Sequence, residues 1–175
     1  METIQERLEP RGASETGFLA RGEKLTEVIA RDDEALRILS YTHVEIAALL
    51  EHLTSRVAIS GTFPYRTQNG KQYNIKVATY RGATQRGMQE CPWGDDVDID
   101  TSPTNADIDV LTIEGERVLR IAGLLPHLVR EHHFFEGSTS YRTSPEEIVA
   151  VLGEERVLGS IAKVKESLPQ LKSVW

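Results

Sequence analysis

The chain has 175 residues, 39% of them hydrophobic, and its 27 acidic and 20 basic side chains give a net charge of −7 at pH 7. A chain of this length and composition can fold as a globular domain without a disulfide or a metal ion, and its single cysteine, Cys91, excludes an internal disulfide. The acidic balance disfavours nucleic acid and anionic membranes as partners and favours a basic protein or a cation.

The N-terminal part of the sequence predicts a tail followed by a helical hairpin. Residues 1–17 mix glycines and a proline with charged side chains, which predicts a flexible tail. Apolar residues then repeat at helical spacing over residues 22–39. Thr42 and Glu45 have the spacing of a capping box that begins a second amphipathic helix. We therefore predict a helical hairpin over residues 22–57.

The middle of the chain, residues 62–122, predicts mainly β-structure. Polar and apolar residues alternate on both sides of Asn69 and Gly70, and this Asn-Gly pair is a strong signal for a β-hairpin. The stretches DIDVLTI and RVLRIAG predict two further strands, which a turn at residues 114–116 would join into a second hairpin.

Residues 124–168 predict mainly helices. The stretch LLPHLVREHHFFEG, residues 124–137, has a proline in its first turn and a glycine at its end, which is typical of a helix. Ser144 precedes a proline and two glutamates, a pattern that caps a helix over residues 145–152. A last helix is predicted over residues 154–167.

The order of these elements predicts the fold class. Helices come first, then antiparallel hairpins, then helices again, without the alternation of strand and helix that builds a parallel sheet. We therefore predict a single α+β domain over residues 18–175. It would consist of an N-terminal helical hairpin, antiparallel β-hairpins forming a small sheet, and C-terminal helices packed on that sheet.

Three of the five histidines cluster in one short stretch of the chain. His127 and His132 have the H-x4-H spacing that zinc fingers use, and Cys91 lies upstream as a candidate thiolate ligand. Because the chain has no second cysteine, Asp95 or Asp96 would have to serve as the fourth ligand. These residues form a candidate zinc site.

A second interpretation of the histidines is structural. On an ideal helix His127 and His132 leave the axis about 140° apart, whereas ligands on one face are usually three or four residues apart. His132 falls among apolar residues, and His127 falls on the opposite side. The helical wheel therefore favours a core-facing His132 that is hydrogen-bonded to a neighbour and a His127 that faces solvent.

Two aspartates at alternate positions of a predicted strand form another candidate site. Asp107 and Asp109 would project from the same side of the strand, about 7 Å apart, where they can share a divalent cation. This pattern resembles the aspartate-x-aspartate strand of the nucleotidyltransferase family, in which a Gly-Ser turn before the strand helps to hold the nucleotide phosphates. The resemblance implies that both aspartates bind metal. It covers the stretch NADIDVLTI, and Gly94 is followed by Asp95 instead of serine.

The acidic loop before that strand is a candidate binding surface for a basic partner, and it contains four aspartates: Asp95, Asp96, Asp98 and Asp100. Counted from the second of these, acidic residues fall at positions 1, 3, 5 and 12 of a calcium loop, the last being Asp107. Thr101 stands where such a loop needs glycine, so an EF-hand is not predicted.

These observations favour a non-enzymatic function. The sequence contains no complete catalytic constellation, phosphate-binding loop or cofactor fingerprint. It also contains no run of 18 apolar residues and no signal-peptide core. We therefore predict a small cytoplasmic binding or regulatory protein that needs no cofactor and acts through an acidic surface. The alternative is a metal-binding protein or a metal-dependent enzyme, with zinc on Cys91, His127 and His132 or another divalent cation on Asp107 and Asp109.

Overall fold

The computed structural model describes residues 2–13, 15–55, 61–67, 70–79, 89–98, 100, 102 and 106–153. The predicted α+β fold is confirmed. The elements, in chain order, are α1 (Ile4–Leu8), α2 (Leu25–Leu39), α3 (His43–Thr54), β1 (Gly61–Arg66), β2 (Gln72–Thr79), β3 (Ala106–Leu111), β4 (Arg117–Ala122), α4 (Leu125–His132) and α5 (Pro145–Leu152). Among the described residues, no helix has the length and apolar character that crossing a membrane requires.

The four strands form one antiparallel sheet in the order β1-β2-β3-β4, so both predicted hairpins are present. Buried and half-buried residues alternate along β3, because successive side chains point to opposite faces of a sheet. Ile108 and Val110 therefore lie in the core together with Ile75 of β2 and Ile121 of β4. We call this larger cluster, which also includes residues of α2, α3 and α5, the sheet core.

The predicted helical hairpin is formed by α2 and α3. Ser40, in the left-handed conformation with φ of 58°, ends α2, and Thr42 then caps α3. The capping box is complete, since the Thr42 hydroxyl accepts a hydrogen bond from the Glu45 amide and the Glu45 carboxylate accepts one from the Thr42 amide. A second predicted box caps α5, where Ser144 and Glu147 exchange the same two hydrogen bonds.

Helix α4 is shorter than the sequence predicts. It ends at His132, because His133 is left-handed with φ of 55° and Glu136 is left-handed with φ of 66°. This turn separates two consecutive aromatic side chains: Phe134 packs in a second, smaller cluster and Phe135 packs in the sheet core. The prediction that the helix continues up to Gly137 is therefore wrong, and the burial of the two rings in different cores explains why it ends early.

The second cluster, which we call the small core, joins the N-terminal residues to α4 and to the loop of Cys91. Its buried members are Leu8, Phe18, Leu19, Val28, Cys91, Leu124, Leu128 and Phe134. A capping box between Thr3 and Glu6 starts α1, which places Leu8 in this cluster. The sequence prediction of a tail over residues 1–17 did not anticipate this helix. The last predicted helix, residues 154–167, lies outside the described residues.

Candidate metal centre

The loop that follows the sheet's second strand brings a thiol and a carboxylate to one place. The Gly94 amide donates a hydrogen bond to the Cys91 carbonyl over 2.9 Å, which closes a tight turn. Gly94 has φ of 87°, a conformation that favours glycine. Within this turn Cys91 is buried in the small core, whereas Asp95 lies at the exposed end of the loop.

Helix α4 supplies two imidazoles to the same place. The Nε2 atom of His132 lies 3.3 Å from the Cys91 sulfur and 3.0 Å from an Asp95 oxygen. The ring of His127 meets the ring of His132 edge-on, with 5.4 Å between the ring centroids. Residues 91 and 95 are thus joined to the first and last turns of α4.

The four side chains are close enough together to hold one metal ion. One ligand atom from each of Cys91, Asp95, His127 and His132 lies within 4.8 Å of all the others. In a tetrahedral zinc site with bonds of about 2.0–2.3 Å, the ligand atoms are about 3.3–3.6 Å apart. The two distances given above, both from His132 Nε2, are 3.3 and 3.0 Å and lie at or just below that range, and the remaining ligand atoms lie within 4.8 Å of one another. Among the described residues, no other group of three or more such side chains converges in this way.

The environment of His127 points to a missing partner. Its side chain is buried, with the residue 8% exposed, and its Nε2 atom has no hydrogen-bond partner among the described residues. A buried polar atom left without a partner costs about 1–3 kcal/mol, and buried imidazole nitrogens are therefore normally bonded. A metal ion bound through this nitrogen would supply a partner that the described residues do not.

The position and the protonation of His132 also suit a metal ligand. Trp93 stacks on its ring, with centroids 4.0 Å apart and planes 5° from parallel, and so fixes the ring's orientation. Burial lowers the pKa of His132 and the neighbouring His127 acts in the same direction, although Asp95 opposes the shift. The lower pKa favours the neutral imidazole, which is the form that binds a metal.

The structure corrects the predicted environment of His127. The helical wheel places this residue on the solvent side of α4, but the structure buries it. The wheel assumes that one face of a helix is covered, whereas α4 lies between α3 on one side and the small core on the other. The 140° angle also describes only the directions in which the two side chains leave the backbone. The rings of His127 and His132 lie closer together than these directions suggest, with 5.4 Å between their centroids. His132, predicted to face the core, is half-buried, with its side chain 9% exposed and its Nε2 atom 3.0 Å from an Asp95 carboxylate oxygen.

Asp107 and Asp109 lie on β3, facing away from the sheet core. Both carboxylate oxygens of Asp109 accept hydrogen bonds from Arg120, over 2.8 and 3.2 Å, and Arg117 lies 3.8 Å away. Lys76 is its register partner on β2. A carboxylate surrounded by cations in this way has less need of a metal ion. The nucleotidyltransferase-like site remains a prediction.

The acidic loop is exposed at Asp95, Asp96, Asp98 and Asp100. The structure brings only the first of these into the metal-competent group. Asp98 instead accepts a hydrogen bond from the Asp100 amide over 3.0 Å, which is a local turn contact. The binding of a basic partner by this loop remains a prediction.

Sequence reasoning did not identify Trp93 as part of the site. Its position two residues after Cys91, in the stretch CPWG, was the available signal, because a large aromatic in a cysteine-containing loop needs a surface to pack on.

Comparison of the chain with protein-family models, with curated proteins and with solved structures finds no match in any of the three.

Proposed function

We propose that the chain is a zinc-binding protein in which Cys91, His127 and His132, with Asp95, hold one Zn²⁺. The observation that carries this proposal is the convergence of four side chains that could ligate a metal; one of them, His127, has a buried ring nitrogen with no hydrogen-bond partner among the described residues. This arrangement is the alternative that the sequence left open. The sequence-based preference for a metal-free protein depended on a His127 that faces solvent, and that residue is buried.

The choice of zinc follows from the donor atoms. One thiolate and two imidazoles are soft or intermediate ligands that suit zinc, whereas magnesium and calcium select sites made of oxygen. A single carboxylate is also a common zinc ligand. The bound ion would join the loop of residues 91–95 to both ends of α4, and it would thereby add its binding free energy to the stability of the folded protein.

Elemental analysis of protein purified without a histidine tag tests the proposal. We expect one zinc per chain in the natural sequence and a large loss of zinc in Cys91→Ser, His127→Gln and His132→Gln. His52→Gln is the matched control, because His52 is an exposed histidine on α3, and it should retain one zinc per chain.

Cobalt substitution provides a readout that needs no variant. A Co²⁺-loaded protein should show a thiolate-to-cobalt charge-transfer band and the intense visible bands of tetrahedral coordination. Zinc that is substoichiometric and unchanged among the variants, together with a cobalt spectrum without the thiolate band, would overturn the proposal.

A further inference from the structure

The four proposed ligands differ strongly in burial. Cys91 is 2% exposed and His127 is 8% exposed, and the side chain of His132 is 9% exposed. The Asp95 side chain, by contrast, is 52% exposed. Three ligands are therefore enclosed by the small core and α4, and the fourth lies at the surface.

Asp95 is also held less firmly than a structural ligand normally is. Ligating carboxylates usually accept hydrogen bonds that fix their orientation. Within the described part of the chain, the Asp95 carboxylate has one polar partner, the Nε2 atom of His132. That nitrogen would itself be a metal ligand in the zinc-bound protein. Once the ion is bound, only the metal–oxygen bond would hold the Asp95 side chain in place.

The neighbourhood of Asp95 offers both space and positive charge. A side chain added at the adjacent Gly94 would meet a single described atom, the Nη1 of Arg7, at 3.7 Å. Arg7 lies on α1, and its guanidinium makes no hydrogen bond or ion pair with the described residues. A guanidinium without a polar partner among the described residues therefore lies near Gly94, next to the exposed Asp95, where it would attract an anion.

We propose that Asp95 is an exchangeable ligand and that the site binds a small carboxylate in its place. This inference rests on the proposed zinc site and names the ligand class that the site accepts. Cys91, His127 and His132 would retain the ion, as three protein ligands do in zinc sites that keep one position open. A carboxylate oxygen of the incoming molecule would take the fourth position, and Arg7 would face its negative charge.

Titration of the Co²⁺-loaded protein with acetate tests this inference, because visible cobalt spectra report exchange of a ligand. Sodium chloride at matched ionic strength is the control. We expect a saturable spectral change with acetate. Asp95→Ala should bind acetate several-fold more tightly, because it removes a tethered carboxylate that competes for the same position at an effective concentration in the millimolar range. Asp96→Ala is the matched control, since Asp96 is an exposed neighbouring aspartate, and it should match the natural sequence.

A second variant tests the role of charge. Arg7→Gln should weaken acetate binding several-fold and leave the binding of imidazole, a neutral metal ligand, unchanged. Equal weakening for both probes would overturn the assignment of Arg7 as the anion-facing group.

The two proposals fail in different ways. One zinc per chain with a cobalt spectrum that does not respond to acetate, in either the natural sequence or Asp95→Ala, would overturn the exchangeable ligand and leave the zinc site standing. Loss of tightly bound zinc in Asp95→Ala would also overturn the exchangeable ligand and leave the zinc site standing, because it would show that Asp95 is an essential ligand. Absence of bound metal in the natural sequence would overturn both.

Discussion

Replacement of His127 by leucine should raise the stability of the metal-free protein and abolish its response to zinc. Among the described residues the buried Nε2 atom of His127 has no hydrogen-bond partner, and a buried polar atom left in this way costs about 1–3 kcal/mol. Leucine has a similar volume and no polar atom, so we expect a gain of roughly 1 kcal/mol after some loss to imperfect packing. In the presence of zinc the natural sequence should instead be the more stable of the two. A ligand bound only by the folded state adds about 2.7 kcal/mol when it is present at 100 times its Kd, and the His127→Leu variant should not gain this stabilisation.

Thermal unfolding in the presence of EDTA, and again in the presence of excess zinc, measures both effects. For the natural sequence, zinc should raise the thermal midpoint by about 5–11 °C, because a chain of this size gains roughly 2–4 °C for each kcal/mol. The His127→Leu variant should show no such rise. His52→Leu, at an exposed position on α3, should leave both measurements unchanged. A His127→Leu protein that is less stable in EDTA and still responds fully to zinc would refute the reasoning.

Three further predictions concern stability away from the metal centre. Ser144→Ala should cost about 1 kcal/mol through loss of the α5 cap, and an unchanged urea midpoint would contradict this. Arg142→Leu should cost up to about 3–5 kcal/mol, because Asp32 is 1% exposed and would lose its bidentate partner, keeping only Arg31 at 3.2 Å. A loss below about 1 kcal/mol would show that the Asp32–Arg142 pair is dispensable. Burial raises the pKa of Glu136 from 4.5 to about 7, against the opposing effects of Thr139 and Arg142. The folded state therefore binds more protons than the unfolded state between these values, so this group's contribution to stability is fully present below pH 4.5 and is lost as the pH rises through 7. The stability of Glu136→Gln relative to the natural sequence should accordingly increase as the pH rises from 5 to 8, as measured by urea titrations. A stability difference that does not change with pH would contradict the raised pKa of Glu136.

Local interactions made much of the fold predictable from sequence. The capping boxes at Thr42 and Ser144 join residues three positions apart, and they mark the starts of α3 and α5. The stretch DIDVLTI predicted a strand with Asp107 and Asp109 on one side, and β3 has both aspartates on its less buried face. These features depend on contacts within a few residues, and such contacts are visible in the order of the amino acids.

The end of α4 was not predictable in the same way. Apolar residues continue through residue 135, so the helical pattern gives no reason to stop at His132. The chain turns there because Phe134 and Phe135 are buried in two different clusters. The second cluster is built from residues that are distant in sequence from α4, among them Leu8 of α1, Phe18 and Cys91.

The sequence by itself determined which side chains were available for a metal centre: one cysteine, an acidic loop and two histidines at H-x4-H spacing. Only the tertiary structure decided that Cys91, Asp95, His127 and His132 meet, and that His127 is enclosed instead of solvated. The reason is the separation of the ligands along the chain, since Cys91 and His132 are 41 residues apart. A helical wheel describes one helix alone. It therefore cannot show that the small core, which includes the loop of Cys91, covers the side of α4 opposite α3.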